Sequence, residues 1–226
     1  MNFFRKKLII KYYYPLKKED AEGMFKKIPD NFPKYFFTIP KTMFNVERKK
    51  FVPYLTTIKT CPGFINLYKR SLLFTSPFDI YIELDDNKII SARAGKTDFQ
   101  VASIHQGQQF LDYVPNNKEY KFILKINLPF LINSNVSMHM SESFYHFNQF
   151  NVLPGIIPSS YKGDINFFIP VKKEKNEIYI KKGDPLFLIT PLCETGVKLK
   201  FKKIETNDTT YLTFSTLKKH ILKNLI

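Results

Sequence analysis

The chain has 226 residues, 44% hydrophobic and 24% charged, which excludes a disordered polymer, a disulfide scaffold and a large multidomain machine and fits one all-β domain or two small ones. Two cysteines, Cys61 and Cys193, stand far apart and no long apolar run occurs, so a soluble protein of a reducing compartment with no membrane partner is expected. The net charge of +15 invites a polyanion, yet only four of the 35 basic residues, Arg5, Arg48, Arg70 and Arg93, are arginine. The accompanying excess of Lys, Asn, Ile, Phe and Tyr is the imprint of an AT-rich genome, and the residue that reads guanine bidentately is scarce, so nucleic acid is a possible partner but not the favoured one.

In chain order, a basic patch precedes Leu8, Ile9 and Ile10, but Lys11 arrives too soon for a signal-peptide core, and secretion is not expected. Residues 8–14 read as a strand that Pro15 closes. Residues 15–53 carry five prolines and no sustained period, which reads as a loop-rich arm with short strands near 35–39. Thr60, Cys61 and Pro62 open a short helix whose apolar positions are Phe64, Leu67 and Tyr68. Cys61 sits at its start; nothing in the sequence brings a base such as His105 to it, and a buried free cysteine is the expected role.

Residues 78–84 form the clearest strand, with Phe78, Ile80, Ile82 and Leu84 on one face and Asp79 and Glu83 on the other. The two carboxylates suit acid–base work or a cation, and equally the wet side of a strand. A turn at 85–88 leads into 89–92 and completes a hairpin. Residues 120–127 alternate in the same way. His139, Glu142 and His146 would share one face of a helix, within reach of one divalent metal, although the surrounding Met138, Met140, Phe144, Tyr145, Phe147 and Phe150 suggest a core wall, or an interface over 138–153 if that region is exposed. Further strands are expected at 165–171, 177–181, 186–192, 197–204 and 210–214, then a docked helix over 215–226. Lys198, Lys200 and Lys202 share a strand face and suit either phosphates or the guarding of a sheet edge.

Short strands separated by turn signals predict a mainly β protein, a double-layered antiparallel sheet without βαβ units. One domain is expected, with a loop-rich extension over 1–71, a β core over 72–214 and the terminal helix. Glycines 155, 163 and 183 are expected where turns need positive φ, and Asp184 can bond its own turn.

The passage Gly155-Ile156-Ile157-Pro158-Ser159-Ser160-Tyr161-Lys162-Gly163-Asp164-Ile165, with Lys182-Gly183-Asp184-Pro185-Leu186 after the next strand, resembles the C-terminal half of the β-clip enzymes, the dUTPase and dCTP deaminase families. The resemblance implies a β-clip fold and a nucleotide pocket in which Tyr161 lines the sugar site, with Ser160, Lys162 and Gly163 around it and Mg²⁺ held through a bound phosphate. It also implies a possible homo-oligomer, since related enzymes are trimers. Pro158 stands where dUTPases place the aspartate that orients water, and it has no acceptor for general-base work. Asp79, Glu83 and Asp164 are the candidate replacements.

Residues 59–64, 75–82 and 182–187 are similar to the spaced signatures of a family common in tailed phages of marine bacteria. That resemblance implies a place in the host cytoplasm or the virion and brings no activity with it. The expected function is binding of a nucleotide or similar anionic small molecule without dUTP hydrolysis. The alternatives are a virion or host-protein interaction module, and a nucleotide-processing enzyme with changed catalytic residues.

Overall fold

A computed structural model describes residues 7–12, 16–27, 36, 38–40, 42–45, 50–56, 58–86, 88–96, 100–105, 119–143, 146, 150–193 and 197–204. Along the chain, β1 (Lys7–Tyr12) is followed by helix α1 (Lys18–Gly23), β2 (Phe25–Lys27), β3 (Thr42–Asn45), β4 (Lys50–Thr56), helix α2 (Pro62–Arg70), β5 (Leu72–Thr75), β6 (Ile80–Leu84), β7 (Ile89–Ala94) and β8 (Ala102–His105). Then come β9 (Tyr120–Ser134), β10 (Met138–Glu142), β11 (Gly155–Ile157), β12 (Lys162–Lys172), β13 (Glu177–Ile180), β14 (Pro185–Pro191) and β15 (Lys198–Lys203). The fold is mainly β, as the alternating pattern predicts.

The strands form a first sheet of order β12-β9-β1-β15 with β8 also on β9, a second of order β11-β10-β14-β5-β2, a third of order β13-β6-β7, and the hairpin β3-β4. Among the described strands every pairing is antiparallel except β1 with β15.

Period-two burial explains how the sheets meet. On β1, Leu8, Ile10 and Tyr12 are buried, and across it β9 turns Phe130 and Ile132 to the same side. On β12, Ile165, Phe167, Ile169 and Val171 are buried. The third sheet buries Ile80, Ile82, Leu84, Ile178 and Ile180 and exposes Tyr81 and Tyr179. All three sheets contribute to one hydrophobic core.

Helix α2 covers the outer face of the second sheet, where buried Tyr68 packs with Leu73 and Leu188 and with half-buried Phe64. Pro62 opens the helix where a missing N–H costs nothing. At its end, the Ser71 hydroxyl lies 2.6 Å from both the Leu67 carbonyl and the Thr190 hydroxyl, so polar groups buried beneath the helix are satisfied.

Three expectations change. The arm over 15–53 holds α1, β2, β3 and most of β4, and Phe36 and Thr38 are helical rather than extended; β2 exists because Phe25 pairs with Phe74 and packs in the core, a long-range gain that local composition does not register. The expected extension therefore contributes β1 and β2 to the two main sheets. Residues 138–142 are a strand between β11 and β14, not a helix. Gly155 and Gly163 lie in strands, and positive φ occurs among the described glycines at Gly95 and Gly183. The strand expected at 210–214 and the terminal helix lie outside the described residues. Among those residues no helix is long and apolar enough to cross a membrane.

Candidate functional site

The segment that carries the β-clip resemblance is occupied by its own chain. Tyr161 closes a turn through its N–H to the Pro158 carbonyl at 2.9 Å. Its hydroxyl donates to the Asp164 carbonyl at 2.6 Å. Burial, with Asp164 adding to it, pushes the Tyr161 phenol above its ordinary range. Gly163 is glycine because the ring lies against it: a Cβ there would stand 2.9 Å from the Tyr161 hydroxyl oxygen. Ser160 and Lys162 are exposed beside this turn. The polar end of Tyr161 is thus engaged in holding β12. Tyr161→Phe is expected to cost about 1 kcal/mol, the worth of one hydrogen bond, and to leave small-anion binding unchanged, as urea melts and titrations of the variant will report.

The candidate carboxylates do not converge. Asp79 and Glu83 belong to the solvent side of the third sheet, where Asp79 Oδ1 accepts from the Lys182 N–H at 2.8 Å and Glu83 Oε2 accepts from the Ser91 hydroxyl at 3.2 Å. Asp164 lies on the first sheet, opposite Leu131. Asp79 and Glu83 are each explained by a local hydrogen bond.

His139 and Glu142 lie on β10, three residues apart in a strand, so they point to opposite faces. His146 is in the turn that follows, its N–H donating to the Ser143 carbonyl at 3.1 Å. Its Nε2 is buried without a hydrogen-bond partner, and burial lowers its pKa, whereas burial raises that of Glu142. Among the described residues no group of three His, Cys, Asp or Glu side chains could hold a metal ion.

Cys61 is the exposed N-cap of α2, which corrects the expectation of a buried thiol. His105 stands edge-on to Phe168, ring centroids 4.8 Å apart, with its pKa lowered by burial and then by Lys125. Met138, Met140 and Val152 are buried, so this part of 138–153 is core wall rather than a free apolar face.

A concave feature among the described residues lies elsewhere, at the far end of β12. Tyr120 opens β9 directly opposite Lys172, which closes β12. The chain then turns, with the Lys175 N–H donating to the Lys172 carbonyl at 3.0 Å and the Lys173 N–H to the Glu119 carbonyl at 2.9 Å. Asn176 pins the turn from the side, its Oδ1 accepting from Lys121 Nζ at 2.9 Å and its carbonyl from the Leu84 N–H at 2.8 Å. The result is a cleft of about 340 Å³ whose lining includes Tyr120, Phe150, Val171, Lys172, Lys175 and Ile178. The Phe150 ring is backed by buried Phe167, 6.5 Å away and near parallel, and is itself half-buried. Two aromatic residues, the aliphatic Ile169, Val171 and Ile178, and two lysines therefore line one depression, together with Glu174. Sequence reasoning missed it because the meeting of Tyr120 and Lys172 is a register between distant strands; the one local signal was the lysine-rich turn after β12.

No protein-family model matches the chain, and neither does any curated protein or solved structure.

Proposed function

We propose that this protein binds a nucleotide, or a small anion of similar build, in the cleft between Tyr120, Phe150, Lys172 and Lys175, without hydrolysing dUTP. The observation that carries the reading is the lining of one cavity of about 340 Å³ by two aromatic residues, aliphatic residues and two lysines against a single glutamate, a size within the usual range for small-molecule sites. A base would lie against Phe150 and Tyr120, whose faces tolerate any heterocycle. A phosphate would meet Lys172 and Lys175, which act as compact point charges, and Mg²⁺ would arrive as its companion. Pro158 at the position of the water-orienting aspartate supports binding without dUTPase chemistry. A phage protein acting in an infected cell is compatible with this reading through the sequence resemblance alone.

The test is a thermal-shift and calorimetric screen with nucleoside mono-, di- and triphosphates, with and without Mg²⁺. A ligand at about a hundred times its dissociation constant adds about 2.7 kcal/mol, which for a chain of this size raises Tm by about 5–10 °C. Tyr120→Ala and the double variant Lys172→Glu/Lys175→Glu are expected to remove the shift, and Tyr161→Phe to retain it. Absence of a shift with every nucleotide would overturn the proposal.

A further inference from the structure

Among the described residues, six lysines gather at one end of the outer face of the first sheet, the end where β1 and β15 pair. On β1 the side chains of Leu8, Ile10 and Tyr12 point into the core, so Lys7, Ile9 and Lys11 face outward. The parallel register sets Lys198 beside Lys7, Lys200 beside Ile9 and Lys202 beside Lys11, and these three lysines of β15 are exposed. On the other side of β1, Ile9 lies opposite Asn133 of β9, and Asn133 lies opposite exposed Lys162 of β12. Asp164, opposite Leu131, is the one carboxylate that the same register brings onto this region.

The lysines extend over four adjacent strands, about 14 Å across, and from Lys198 to Lys202 for about 13 Å along β15. That area is far larger than one phosphate group. Guarding of an exposed edge explains lysines on β15, the outermost strand. It does not explain Lys7 and Lys11, because β1 is paired on both sides.

We infer that this face docks the phosphate backbone of duplex nucleic acid, without reading its sequence. Charge complementarity selects a polyanion with phosphates at many positions. Lysine supplies charge without the bidentate fork that discriminates bases, so contacts of this kind position a duplex and do not specify it. Single strands are held on aromatic platforms as well as by charge, and the side chains set between these lysines are Ile9, Leu131 and Asn133; the Tyr161 ring is folded against Gly163, on the other side of β12 from Lys162. Ile9 and Leu131 are half-buried, which leaves little apolar surface to enter a bilayer. The face is separate from the cleft: Lys162 begins β12 and Lys172 ends it.

Fluorescence anisotropy with two duplexes of unrelated sequence tests this. Both should bind with equal affinity, and log K against log salt should fall with a slope of about −5 for six contacts, a loss of about 10³-fold between about 50 and 200 mM salt. Lys198→Gln/Lys200→Gln/Lys202→Gln should reduce the slope to about −3, with an unchanged melting curve as the check on folding. The cleft variant Lys172→Glu/Lys175→Glu should retain duplex affinity, and the triple variant should retain any nucleotide-induced thermal shift, so the two sites fail or stand separately. The inference is overturned by no duplex binding at low salt, by a slope that the triple variant leaves unchanged, or by binding to phosphatidylserine-rich vesicles in the absence of duplex binding.

Discussion

Replacing Phe74 with alanine is expected to cost about 3–5 kcal/mol, the range for deleting a fully buried phenyl ring, and to lower Tm by about 10 °C or more. Phe74 has no exposed surface. It is the middle residue of a cross-strand row in the second sheet, opposite Phe25 on β2 and Phe187 on β14. Its ring lies 4.9 Å from that of Phe25, edge-on, and stacks on Phe187 at 4.5 Å. From the facing sheet Phe130 approaches to 5.1 Å. One side chain therefore joins three strands of one sheet to the longest strand of the other, and its removal opens a cavity whose walls belong to separate strands and cannot collapse together. Phe74→Leu, which keeps most of the volume, should cost much less. Urea titration of the three proteins reads the difference as a change in midpoint at constant slope; a cost below about 1 kcal/mol for alanine would mean that the two sheets are not held together at this point.

The parts of this fold legible in the sequence are those in which neighbouring residues carry the signal. Strict alternation through Ile80, Ile82 and Leu84 against Asp79 and Glu83 announces β6, and the observed burial follows it. The stretch that became β10 was ambiguous, because His139, Glu142 and His146 have helical spacing while the apolar residues around them suit a core wall; pairing on both sides by β11 and β14 decides for the strand. Strand β2 has three residues and no periodicity of its own. It forms because Phe25 completes the aromatic row, a gain visible only once the partner strand is in place.

The same limit governs the sites. Alternation within β15 already puts Lys198, Lys200 and Lys202 on one face, but that Lys7, Lys11 and Lys162 continue it follows from registers with β1, β9 and β12. The cleft likewise depends on Tyr120 meeting Lys172. The resemblance that drew attention to Tyr161 located a turn in which the hydroxyl is bound to the chain's own backbone. Motif likeness pointed to a place, and hydrogen-bond geometry explained that place structurally.

The Lys182-Gly183-Asp184 turn is the case in which sequence and structure agree in detail, and it yields the second large expected effect. Gly183 has φ of +89°, outside the range open to β-branched residues. Its N–H donates to the Ser76 carbonyl at 2.8 Å, and the Ser76 N–H donates to the Asp184 carbonyl at 2.9 Å. Asp184 Oδ2 accepts from the Lys181 N–H at 2.8 Å, and Asp79 Oδ1 accepts from the Lys182 N–H at 2.8 Å. This corner ties β13 and β14, and hence the third sheet to the second, through backbone groups that can bond this way only with Gly183 left-handed. Gly183→Val is expected to destabilise by about 1–3 kcal/mol. No atom lies within 4 Å of a Cβ built on Gly183, so the cost is conformational rather than steric crowding by neighbours. Gly183→Asn should recover a large part of it, because asparagine enters the left-handed region more readily. Equal stability of the valine and asparagine variants in urea titrations would show that the turn relaxes to another conformation, and Asp79 would then lose its place as the acceptor that secures Lys182.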